Sequence, residues 1–113
     1  NDVELVKMQN VKAIFLDKNN EPLTIKSDYA LYNNSNYNTD FRDNVEIEYM
    51  ANRIFSDRIN LDFQNNIAKI FENVRYEGVG GTIKSDNIKI NLITKKVEIY
   101  MDNENKFVEI NSN

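Results

Sequence analysis

Apolar and polar residues alternate along most of this chain, and the alternation returns in register. Ile25-Lys26-Ser27-Asp28, Ile54-Phe55-Ser56-Asp57 and Ile83-Lys84-Ser85-Asp86 stand at a constant step of 29 residues. A second phrase keeps the same step: Asp43-Asn44-Val45-Glu46-Ile47 is answered by Glu72-Asn73-Val74-Arg75-Tyr76. Side chains on a strand point to opposite faces in turn, so period-two runs such as Arg58-Ile59-Asn60-Leu61-Asp62-Phe63 and Asn87-Ile88-Lys89-Ile90-Asn91-Leu92 predict half-buried strands. Val45 to Tyr49, Val74 to Tyr76 and Val97 to Tyr100 supply the second strand of each unit, with turn-forming Asn33 to Asn36 and Gln64 to Asn66 between. A unit is therefore strand, turn, strand, turn, and it must stack on its neighbours to bury its apolar face.

Overlaying the units predicts the inward face. Ile25, Ile54 and Ile83 coincide, as do Ala30, Ile59 and Ile88, then Tyr32, Leu61 and Ile90, then Asn34, Phe63 and Leu92, then Phe41, Ile70 and Ile99, so apolar character is kept at almost every position. Parity changes between Ile25 and Ala30 and again between Ile54 and Ile59, so a bulge or corner is expected at each Ser-Asp step. Upstream, Val3 to Leu5 and Val11 to Phe15 read as partial strands, and Asp17 to Pro22 as a turn. The expectation is an all-β open roll of about nine antiparallel strands with no substantial helix, forming one domain over residues 1–113.

Composition narrows the function. The net charge is −4, and the 14 Lys and Arg residues are scattered singly, which argues against nucleic acid as a partner. No apolar run is long enough to span a bilayer, and Asn1-Asp2-Val3-Glu4 is no export signal, so any signal or anchor is expected upstream. With no His and no Cys, histidine-based triads, cysteine nucleophiles and the usual zinc sites are excluded. Acidic residues mostly alternate with apolar ones, as outward strand positions do, so the chain is not expected to be an enzyme and no cofactor is implied. Asp28, Asp57 and Asp86 read as corner residues rather than a calcium ladder, because the Gly-rich loops of calcium-binding rolls are missing. Gly78-Val79-Gly80-Gly81 lacks the Lys and the helix of a phosphate loop and reads as a turn.

The inward stripe allows two readings, an ordinary filled core or a trough open to acyl chains. Thr82 to Thr94, with the earlier Ile-x-Ser-Asp copies and the Asn-Val pairs, resembles periplasmic lipopolysaccharide transport proteins of the LptC and LptA (OstA-like) type over about residues 3 to 110. The run Asp86-Asn87 … Ile90-Asn91-Leu92 … Thr94 is most similar to LptC. The resemblance implies a β-jellyroll that takes lipopolysaccharide from an inner-membrane ABC transporter towards the outer membrane of a Gram-negative cell. It also implies edge-to-edge strand pairing with other transport jellyrolls, through the strand around Val3 to Met8 or Val11 to Leu16 on the transporter side and Lys106 to Ile110 towards the next protein. LptC-type proteins begin with an inner-membrane helix, which would lie upstream of this chain. On this reading Ile25, Ala30, Tyr32, Ile54, Ile59, Leu61, Phe63, Ile83, Ile88, Ile90 and Leu92 line the lipid trough. Phe41, Val45, Ile70, Val74, Val97 and Ile99 would form the opposing wall. A β-roll scaffold that holds no lipid is the alternative.

Overall fold

The computed structural model describes residues 4–17, 19–101 and 106–111, with side chains as far as Tyr100. The described residues form eight strands: β1 (Leu5–Leu16), β2 (Pro22–Asn33), β3 (Thr39–Tyr49), β4 (Asn52–Asp62), β5 (Ile67–Gly78), β6 (Gly81–Asn91), β7 (Lys96–Met101) and β8 (Lys106–Asn111). They make a single antiparallel sheet in sequential order, with β1 and β8 as unjoined edges. Each 29-residue unit is one hairpin. Every connection is local, so the described strands form an open meander without the crossovers of a Greek-key jellyroll.

Eight strands stand where nine were expected because the two upstream runs join. β1 runs through Asn10, whose φ of 52° lets the inward parity step from Met8 to Val11 within one strand. Val3 lies outside the described residues.

Bulges occur where parity demanded them. β2 is buried at Leu23, Ile25 and Ser27 and then at Ala30, leaving Asp28 and Tyr29 both outward. The extra residues sit on the facing strands, since the registers shift around Asp43-Asn44 in β3 and Glu72-Asn73 in β5. All four have positive φ, between 53° and 69°. The two repeated phrases turn out to be halves of one staple: Asn44 Nδ2 donates to Asp28 Oδ2 at 2.7 Å, and Asn73 Nδ2 to Asp57 Oδ2 at 2.5 Å. Ser27 and Ser56 donate to the carbonyls of Tyr29 and Arg58 two residues on. The corner is therefore held by serine on the backbone, as expected, but by aspartate across strands rather than on local backbone.

The bulges let the sheet fold over. Phe15 pairs with Leu23, and Phe41 pairs with Ala30, which is seven residues further along β2. A flat sheet would separate those levels by roughly 23 Å. Their rings instead meet at 6.5 Å, and Phe15 lies 5.3 Å from Phe63 beyond the far end of β4. The two halves of each long strand thus face one another across a shared core, bent along the bulge line.

The β3–β4 hairpin turns through Met50 and Ala51, both with positive φ (52° and 67°). Two-residue turns of that kind favour Asn-Gly, and a Cβ in the left-handed region costs roughly 1–2 kcal/mol. Ala51 is exposed, so Ala51→Gly is expected to stabilise the fold by about 0.5–1 kcal/mol after the entropy cost of glycine. Urea unfolding should show a higher midpoint, whereas Ala51→Val should lower it.

Candidate functional site: the inward face

Cross-strand register turns the alternation into continuous apolar rows. One row runs Met8, Ala30, Phe41, Ile59, Ile70, Ile88 and Ile99 from β1 to β7. The next runs Val6, Tyr32, Thr39, Leu61, Ala68, Ile90 and Val97. Beyond the bulge line, Ala13, Ile25, Ile47, Ile54, Tyr76 and Ile83 form a third. Val45 and Val74 pair with Ser56 and Ser85 along the bend itself.

Most of the stripe expected from sequence is brought together here. Ile25, Ala30, Phe41, Val45, Ile54, Ile59, Leu61, Ile70, Val74, Ile88, Ile90, Leu92, Val97 and Ile99 all belong to the buried cluster, none more than 8% exposed. Phe63 and Ile83 are partly buried against it. Tyr32 is half-buried and outside that cluster, its ring 6.2 Å from Tyr37. Phe41, Val45, Ile70, Val74, Val97 and Ile99 do not form a wall opposing the others. They lie on odd strands of the same face and interleave with the even-strand residues, and what separates the two walls is the bulge line. Leu23, Ile47, Tyr49, Ala68 and Tyr76 complete the cluster and were missing from the stripe. Alternation carried outward from Ile25, Val45, Ile70 and Val74, by one step or for Tyr49 by two, would have found them.

The interior is closed on itself at its centre, with Ile25, Ile47, Leu61, Ala68 and Ile99 at 0% exposure. It opens at one end. Phe15, Leu16, Leu23, Phe63 and Leu92, with Asp17 and Asn66, line a cleft of about 300 Å³ where the β1–β2 turn meets the turns after β4 and β6. Asp17 fixes its rim: Oδ1 accepts from the backbone N–H groups of Asn19 and Glu21, and Oδ2 accepts from the Tyr49 hydroxyl at 2.6 Å. Burial, then the hydrogen bond to Asp17, pushes the Tyr49 phenol well above its ordinary value of 10.0. Partial burial works against ionisation of Asp17, but the Tyr49 hydroxyl and the two N–H donors outweigh it and hold its carboxyl below the usual range. Tyr76 is raised by burial.

Among the described residues no three acidic, His or Cys groups are placed to hold a metal ion. A family model described as lipopolysaccharide-assembly, LptC-related, matches residues 1–103. The chain belongs to the LptC-related family. No curated protein matches it closely enough to add a named relative. LptC-related proteins are non-catalytic components of lipopolysaccharide transport in the Gram-negative periplasm, serving outer-membrane biogenesis, and an open all-β sheet with an apolar inner face fits that role. No helix among the described residues of this LptC-related chain is long and apolar enough to cross a membrane.

Proposed function

We propose that the inward face shields the acyl chains of lipopolysaccharide on their way from an inner-membrane ABC transporter towards the outer membrane. The observation that carries this reading is the set of apolar rows crossing the strands of a sheet that stays open at both edges. Chains enter at the cleft between Phe15 and Phe63 and part the two halves, so that Ile25, Ala30, Ile54, Ile59, Leu61, Ile83, Ile88, Ile90 and Leu92 exchange contacts with each other for contacts with lipid. Tyr32 joins them from the flank, and Phe41, Val45, Ile70, Val74, Val97 and Ile99 take part from the odd strands. Each methylene shielded is worth roughly 0.8 kcal/mol, and each side-chain contact given up offsets part of that gain. Binding is then shallow, which suits a station that must release its cargo. β1 and β8 carry rows of unused backbone groups, and these edges join the neighbouring transport proteins by strand addition. An ATPase elsewhere gives the passage its direction.

A second reading is favoured by the filled centre: a scaffold that joins partners through its edges and holds no lipid. A photo-reactive phenylalanine analogue at Phe63, partly buried at the cleft, separates the two. Lipopolysaccharide adducts are expected there and not at outward Lys89. Adducts at Lys89 alone, or at neither position, would support the scaffold.

A further inference from the structure

The outer face carries a second concave feature, which shares no lining residue with the cleft at Phe15 and Phe63. Lys7, Gln9, Tyr29, Leu31, Arg42 and Asp43 surround a cleft of about 450 Å³ across β1, β2 and the β3 bulge, with Met8 and Ala30 in its floor. Register places Gln9, Tyr29 and Arg42 side by side in one outward row and Lys7 beside Leu31 in the next. Tyr29 is 47% exposed, and Lys7, Gln9, Arg42 and Asp43 are exposed.

The following unit shows what this row does when it is complete in itself. There the residue types are exchanged between strands: Arg58 on β4 pairs with Phe71 on β5. The Arg58 guanidinium lies 4.9 Å over the Phe71 ring, with Glu72 at 3.7 Å. In the first unit Tyr29 and Arg42 occupy the same two positions, yet among the described residues Arg42 has neither a ring beneath it nor a carboxylate within ion-pair distance. Lys7 has no ion pair among them either. The nearby Asp40 and Asp28 are engaged by Asn60 and Asn44. One unit closes its aromatic and cation on each other, and the other leaves them open around a cavity.

We propose that this cleft binds an acidic sugar, a pyranose ring bearing a phosphate or carboxylate. The apolar face of the ring lies on Tyr29 and Leu31, the anion meets the planar fork of Arg42 and the ammonium of Lys7, and hydroxyls bond to Gln9 and Asp43. The site rests on the proposed function only for its source, the saccharide part of a lipopolysaccharide held while the acyl chains occupy the inner face.

Glucose 6-phosphate, titrated into the ¹⁵N-labelled chain alongside glucose and inorganic phosphate, tests the site. Saturable amide shifts at Gln9, Tyr29 and Arg42 are expected with the sugar phosphate, with either fragment binding about tenfold more weakly or worse. Tyr29→Ala and Arg42→Ala should each weaken binding by about tenfold or more, Arg42→Lys by less, and Arg75→Ala, whose guanidinium lies over Phe55 beyond the bulge line, not at all. These side chains are exposed, and dispersed spectra confirm that each variant folds. No saturable shift, equal binding of inorganic phosphate, or equal sensitivity to Arg75→Ala overturns the site. Failure here leaves the Phe63 crosslink to lipid intact, and loss of that crosslink leaves the sugar titration intact, so the two readings fail separately.

Discussion

Ile59→Ala is expected to cost about 2–5 kcal/mol of folding stability. Ile59 is 1% exposed and sits in its row between Phe41 and Ile70, themselves 1% exposed, so the space left by the missing atoms has little freedom to collapse. Domains of this size are stable by about 5–15 kcal/mol, and the substitution removes a large share of that. Urea unfolding should show a much lower midpoint with an unchanged slope. The value also reports on the trough. An interior already loose enough to hold lipid would lose less than about 1 kcal/mol, whereas a packed interior that opens only on loading gives the full cost.

The bulge line should be nearly as sensitive. Asn44 and Asn73 stand at φ of 53° and 54°, and each donates to the aspartate of the preceding strand. Val in either place meets the left-handed penalty of roughly 1–2 kcal/mol and loses the hydrogen bond, for about 2 kcal/mol or more at each site. Gly removes the bond but accepts the backbone, so Asn44→Gly and Asn73→Gly should cost distinctly less. The difference between the Val and Gly variants, read from thermal unfolding, isolates the backbone contribution. Equal costs would mean that the side-chain bond alone holds the corner.

Most strands, the repeat length and the position of the bend were legible in the sequence, because each follows from parity: a sheet face repeats every two residues, and a bulge is one way to shift it. The Ser-Asp and Asn-Val phrases were visible as repeats, but that Asn44 reaches Asp28 needed register, which alternation does not fix. Asn10 made one strand look like two, since it breaks parity without adding a residue to the ladder. The fold-over lay out of reach. It depends on Phe15 meeting Phe63, residues with 47 others between them and no local signal linking them. For the same reason the trough walls were divided by strand number when the bulge line divides them. Whether the inner face is filled or fillable is a matter of volume, and alternation records only direction.

The claim that lipid enters by parting two halves meets its most direct test in a lock. The chain has no cysteine, so Phe15→Cys with Phe63→Cys introduces the only thiols, at positions whose rings now lie 5.3 Å apart. Joined by a short bis-maleimide, this pair ties the β1 end of one half to the far end of the other. Binding of fluorescent lipopolysaccharide should fall by about tenfold or more on joining, while the unjoined double variant and each singly capped cysteine still bind. Undiminished binding by the joined protein would contradict the account, because the halves would then have no need to separate.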